Sequence, residues 1–199
     1  MTSASGQSKL AAVILAAGGS SRLGQPKQLL RQRSIPLVLR AVQLAERFAG
    51  AGTCVVLGHQ HLRLRRLLRR HNPGLVIVNN VRWREGLSTS LRAGLAGVSP
   101  RARAALILLV DQPKIGAQDI ARLIGRYRAR PGRAVAACYS GRAGVPAIVP
   151  RNGWRALAAV AGDKGARDFL QTLPANRRVD MPGAALDIDT PADAARMRP

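Results

Sequence analysis

Acidic side chains are scarce in this sequence. Ten Asp+Glu stand against 32 Lys+Arg in 199 residues, a formal charge of +22. Aromatic residues make up only 3%, so the core must be built from Ala, Val, Leu and Ile, and there is little ring surface for stacking nucleic-acid bases. Two cysteines, Cys54 and Cys138, lie far apart in apolar runs, which excludes a disulfide framework and a cysteine metal site and fits a reducing cytosol. His59, His61 and His71 have no metal-ligand spacing, sit among arginines and are read as surface residues. No run approaches the roughly 18 apolar residues needed to span a bilayer, so a soluble chain is expected. Residues 10–17 mimic a short signal-peptide core but lead directly into a Gly-Gly-Ser-Ser-Arg turn, which suits a buried strand better.

What remains is a globular composition, 47% hydrophobic and 21% charged, of a length that favours one domain. We expect a flexible leader over 1–9 and a single domain over 10–199. The positive field would attract nucleic acid, a membrane surface or phosphorylated small molecules, although arginines spread along the whole chain equally describe a solvated surface.

Strand-like and helix-like runs alternate. Residues 10–16 are uniformly apolar, the mark of a strand covered on both faces. A helical pattern runs from Leu37 to Phe48 and closes at Gly50 and Gly52. Residues 54–57, 75–78, 104–110, 134–138 and 147–149 read as further strands, with 104–110 as the central one, and helices fall between them. Thr190-Pro191-Ala192-Asp193 has the form of a helix start, with Thr as N-cap and Pro in the first position. Such alternation without internal repeats predicts a three-layer α/β/α fold on a mostly parallel, Rossmann-like sheet, in which ligands sit beyond the carboxyl ends of the strands.

The loop after the first strand, 15–27, reads LAAGGSSRLGQPK. Its glycines allow backbone amides to form an anion nest, and Arg22 and Lys27 add fixed positive charge. It is not a P-loop, because Gln25-Pro26-Lys27 follow Gly24, and Pro26 disfavours the uninterrupted helix of a dinucleotide fingerprint. Asp111 ends the most apolar strand just before Pro113, where a carboxylate opposite a phosphate loop would hold Mg²⁺ or simply cap a turn. Asp187 and Asp189 flank Ile188, and on a strand they would face the same side.

Residues 15–27 match, at every fixed position, the Leu-Ala-Ala-Gly-x-Ser-x-Arg-x-Gly-x-x-Lys signature of the MobA-like nucleotidyltransferases, and the chain resembles that family. The resemblance implies the nucleotide-diphospho-sugar transferase type of fold and a loop that wraps the triphosphate of an NTP. It places Leu15, Ala16, Ala17, Gly18, Gly19 and Ser20 against the nucleotide, with Arg22 and Lys27 neutralising the phosphates and the leaving pyrophosphate. Asp111 matches the family's metal position, and the Asp-Ile-Asp-Thr-Pro stretch makes Asp189 a second metal contact. Asp187 is as well read as a cap.

Three further stretches resemble molybdenum-cofactor cytidylyltransferases in particular. Residues 80–91 look like their Asn…Gly-Met-Ser-x-Ser-Leu segment, with Leu87 in place of Met. Residues 144–151 look like Gly-x-Pro-x-x-Phe, with Val149 in place of Phe, and residues 162–167 match Gly-Asp-x-Gly-Ala-Arg. This resemblance implies CTP as donor, molybdopterin bearing molybdenum as acceptor and a molybdenum hydroxylase as a client. Asn80 and Ser88 would bind base or ribose, and Gly144, Pro146, Gly162, Asp163, Gly165 and Arg167 the acceptor. Asp163 and Arg167 also read as a local salt bridge. Open alternatives are another base or acceptor, such as GTP or a sugar or alcohol phosphate, a nucleic-acid-binding protein, and an oxidoreductase on the same scaffold.

Overall fold

The structure is a computed structural model that describes residues 10–159 and 165–197. The expected leader and the residues Gly162 and Asp163 lie outside the described residues.

The chain opens with β1 (Leu10–Ala16), a two-stranded hairpin of β2 (Arg31–Gln32) and β3 (Ile35–Pro36), and helix α1 (Leu37–Ala49). Then come β4 (Thr53–Leu57), α2 (His61–His71), β5 (Val76–Asn79), α3 (Leu87–Gly97), β6 (Ala104–Leu109) and α4 (Ala117–Ala129). The last part holds β7 (Val135–Tyr139), β8 (Arg142–Pro150), α5 (Trp154–Ala159), α6 (Gly165–Gln171), β9 (Arg178–Asp180) and α7 (Pro191–Arg196). The main sheet has seven strands in the order β5-β4-β1-β6-β8-β7-β9. Pairing is parallel except along both edges of β8, which runs antiparallel to β6 and β7.

The alternation of side chains along the uniformly apolar strands builds the three layers. In β1, Ala12, Ile14 and Ala16 face one core together with α1, α2 and α4, whereas Ala11, Val13 and Leu15 face the other with α3, α5 and α6. β6 divides in the same way, Leu106 and Leu108 against Ala105 and Ile107. Burial of each such Leu, Ile or Val contributes about 1.5–3 kcal/mol, and covering both faces is what a polar-free strand requires. In α2 the narrow apolar stripe among arginines is enough, because Leu64 and Leu68 are both fully buried.

One expectation needs correction. Asp187 and Asp189 do not lie on a strand: 186–189 has no regular structure, and its backbone link to the core is the Ile188 N–H donating to the Asp111 carbonyl at 3.1 Å. The short strand β9 was not anticipated, since three residues, two of them charged, give no readable alternation.

Candidate active site

Beyond the carboxyl ends of β1 and β6 opens a cleft of about 440 Å³ lined by the 17–19 backbone, Lys27, Trp83, Arg84, Ser90, Asp111, Arg167 and Asp189. The Gly-rich loop leaves β1 at Ala16 and is held from below. Leu23 is buried in the core beside α1, and the buried Gln28 donates from Nε2 to the carbonyls of Ala16 and Gly18 at 3.0 and 2.9 Å. Gln28 was missed in the sequence, where it sits in a polar run beside Lys27 and nothing sets it apart. The loop closes on itself through the Lys27 N–H, which donates to Ser20 Oγ at 3.1 Å.

That closure carries Lys27 to the middle of the site. Its ammonium lies 2.5 Å from Asp111 Oδ2 and 3.0 Å from Asp189 Oδ1. Burial works against the charge, but the two carboxylates outweigh it and hold the Lys27 pKa above its ordinary value. Asp189 also accepts from Arg22 at 2.7 Å, on the exposed side of the loop. The next helix fixes Asp189 in place. Thr190 caps α7 in a reciprocal box with Asp193, as its sequence form predicted, and the same Asp193 carboxylate accepts from the Asp189 N–H.

Asp111 is 9% exposed, and its Oδ1 is buried with no hydrogen-bond partner among the described residues. Asp187 keeps substantial solvent contact, yet the surrounding protein crowds it; desolvation first, then the charges of Asp111 and Asp189, push its carboxyl up to about 6. Hard carboxylate oxygens, one of them orphaned beside a cation, form a donor set that fits Mg²⁺ or Mn²⁺ better than any soft metal. Among the described residues no group of three or more His, Cys, Asp and Glu side chains is arranged to hold a metal by itself, so a bound ion would need oxygens from elsewhere, as a triphosphate supplies.

The other expected site residues are distributed differently. Asn80 is buried below the cleft: its amide donates to Thr89 Oγ1 and Ser90 Oγ, both at 2.9 Å, and its Oδ1 accepts from the Arg82 N–H. Ser88 is buried too, its hydroxyl without a partner among the described residues, while Ser90 lines the cleft in its place. Gly144 lies inside β8, where an added Cβ would strike the Tyr139 hydroxyl, and Pro146 is buried beside it. Neither lines the cleft. Gly165 starts α6, and Arg167, near the start of that helix, reaches the cleft wall.

Trp83 was not singled out in the sequence. Its indole sits against the Gly-rich loop, 3.0 Å from where a Cβ on Gly19 would be, and its Cβ leaves only 2.6 Å to a Cβ on Gly58, which also would meet the Ala17 carbonyl at 2.7 Å, so position 58 needs glycine. His59, expected as a plain surface residue, is half-buried and meets the Trp83 ring edge-on with centroids 5.5 Å apart.

A glycine-rich loop facing a lysine–carboxylate pair, at the open end of a mostly parallel sheet, is the arrangement of a nucleotidyltransferase cleft. The profile of the MobA-like NTP transferase domain matches residues 12–179, and the chain belongs to that family of nucleotidyltransferases. Among solved structures, the homologue of Mycobacterium tuberculosis Rv0371c from Mycobacterium sp. strain JC1 is 32% identical, with 96% of each chain covered and a TM-score of 0.77. Rv0371c of M. tuberculosis, solved in complex with manganese, is 28% identical over 94% of this chain and 97% of that one, with a TM-score of 0.72. A nucleotidyl transferase from Methanothermobacter shares the fold at 22% identity, with 95% of each chain covered and a TM-score of 0.74. No curated protein matches the chain. No helix among the described residues is long and apolar enough to cross a membrane.

Proposed function

We propose that this nucleotidyltransferase transfers CMP from CTP to the phosphate of molybdenum-bearing molybdopterin, with release of pyrophosphate, and that it depends on Mg²⁺. The observation that carries the reaction type is the placement of Lys27 between the Gly-rich loop and the carboxylates of Asp111 and Asp189. The choice of cytosine and pterin is supported by the resemblance of 80–91, 144–151 and 162–167 to cytidylyltransferases of the molybdenum cofactor.

The chemistry is an in-line displacement. An acceptor phosphate oxygen forms a bond to the α-phosphorus of the NTP while the bond from that phosphorus to the bridging oxygen of pyrophosphate breaks. Amides of Gly18, Gly19 and Ser20 would cradle the triphosphate, and Lys27 and Arg22 would neutralise charge building on the leaving group. This is stabilisation by position and charge, so no general base is required. Asp111 and Asp189 would hold the divalent ion, which when bound supplies charge neutralisation at the phosphates. Asn80 acts from beneath the cleft, fixing Ser90 in its wall.

The test is pyrophosphate release with CTP, GTP, ATP and UTP, with and without molybdopterin. We expect release only with the pterin present and fastest with CTP. Fastest release with GTP, or indifference to the pterin, would move the protein to another donor or acceptor within the family.

A further inference from the structure

The cations in and beside the cleft fall into two groups. Lys27 and Arg22 are engaged by Asp111 and Asp189. Arg84 and Arg167 line the same cleft, and among the described residues neither forms an ion pair with a carboxylate. For Arg84 the reason is visible in the chain. The adjacent carboxylate, Glu85, is taken by Arg82 in a two-pronged pair, Nε to Oε1 at 2.8 Å and Nη2 to Oε2 at 2.6 Å. Arg84 instead lies over the Trp83 indole, its guanidinium carbon 4.6 Å from the ring centroid. A cation stacked on indole keeps its in-plane N–H donors free, and the planar fork matches two oxygens of a phosphate. The platform itself is fixed by the close approach of Gly19 and Gly58 and by His59 at its edge. An exposed guanidinium placed over a fixed indole in the cleft wall, beside a lysine already engaged by carboxylates, is available to a second anion.

We propose that Arg84, placed over Trp83 and acting with Arg167 of the same cleft wall, binds the phosphate monoester of the acceptor, so that the cleft has one anion subsite for the triphosphate and another for the attacking phosphate. Trp83 is the positioning residue of this clamp. The proposal rests on the nucleotidyl-transfer reading of the cleft but not on the pterin or the base. The selectivity expected is a gain in affinity for acceptors that carry a phosphate over those that lack it.

The experiment is calorimetric titration of the chain saturated with Mg²⁺ and a CTP analogue with a methylene bridge between the α- and β-phosphates. The probes are molybdopterin, glucose 1-phosphate, glycerol 3-phosphate and inorganic phosphate, the two esters each beside its dephosphorylated counterpart. The wild type is expected to bind at least one monoester and to prefer glucose 1-phosphate or glycerol 3-phosphate to the parent alcohol where that ester binds. In R84Q the affinity for the bound monoester falls on the order of 30-fold, while affinity for the Mg²⁺-bound CTP analogue stays within about twofold. R84K, which keeps the charge without the planar fork, falls between the two. W83L, checked for folding by its melting temperature, raises the acceptor KM more than it lowers kcat with whichever acceptor turns over. Unchanged monoester affinity in R84Q overturns the clamp, as does equal loss of nucleotide and monoester, or failure of the wild type to bind any monoester. If molybdopterin does not bind but glycerol 3-phosphate does, and R84Q loses it, the clamp stands and the pterin acceptor falls.

Discussion

Lys27 reaches Asp111 across 84 positions of sequence, and its ammonium lies 2.5 Å from the carboxylate. The Gly-rich loop and the end of β6 are thereby joined through one side chain. The same ammonium contacts Asp189, so one lysine gathers all three segments of the site.

Lys27→Ala should cripple turnover in a folded protein. A cation whose contact strengthens as charge builds on the leaving group is worth about 3 kcal/mol, or roughly 100-fold in kcat/KM. The side chain is also a counter-ion for Asp111 and Asp189, so its removal frees two carboxylates. We expect Mn²⁺ affinity without nucleotide, read by electron paramagnetic resonance, to hold or rise while pyrophosphate release collapses. Wild-type kcat/KM in the purified variant would refute the phosphate-loop assignment.

The two carboxylates should separate in a metal titration. Asp111 is buried with one oxygen unpaired among the described residues, whereas the Asp189 side chain is 38% exposed and shared with Arg22. Asp111→Asn is expected to lower activity and to shift its Mg²⁺ dependence to much higher concentration, and Asp189→Asn to do so more mildly. An Asp111→Asn protein with wild-type Mg²⁺ dependence would leave that side chain a turn cap.

The part of this architecture legible in the sequence is the part written in local pattern. β1 could be bounded because an unbroken apolar run needs cover on both faces, and the α7 cap because Thr190 and Asp193 are three residues apart and satisfy each other. Residue type, strand end, glycine spacing and the family signature all point to Asp111 and Lys27, and the structure brings the two side chains together. Contacts made by distant segments were out of reach. Nothing local reports that Gln28 tethers the loop from beneath, that Asn80 turns inward to Thr89 and Ser90, or that Gly144 makes room for Tyr139. Trp83 and Arg84 were inside a segment singled out for its Asn and Ser, and their role depends on a platform assembled from Gly19, Gly58 and His59.

The two thiols should differ in reactivity. Burial pushes the Cys54 thiol up to about 11, while Cys138 is only half-buried. The thiolate is the nucleophile, so at pH 8 Cys54 is almost wholly protonated as well as inaccessible. Iodoacetamide on the native chain should modify Cys138 first and leave Cys54 until the protein is denatured, as peptide mass mapping would show. Equal labelling of both in the native protein would contradict the packing of β4 against α3.

Two glycines in helix interiors should respond to alanine with opposite signs. Gly125 in α4 has open space where a Cβ would stand, so Gly125→Ala loses nothing in packing and gains up to about 1 kcal/mol from reduced backbone freedom in the unfolded chain. Gly94 in α3 faces the sheet, where a Cβ would strike the Val13 side chain and come within 2.8 Å of Val56 Cγ2. Both valines are fully buried in neighbouring central strands, and a β-branched side chain has few rotamers to which it can retreat. The helix must therefore lift from β1 and β4, and overpacking of this kind costs about 1–3 kcal/mol, more than the helix propensity gained. For a chain of this length, each kcal/mol moves the melting temperature by about 2–4 °C. Gly94→Ala should thus melt lower than the wild type and Gly125→Ala slightly higher, in the same calorimetric buffer. Because α3 carries Ser90 into the cleft wall and Val13 lies in the strand that leads into the Gly-rich loop, Gly94→Ala should also raise the nucleotide KM, whereas Gly125→Ala should leave it unchanged.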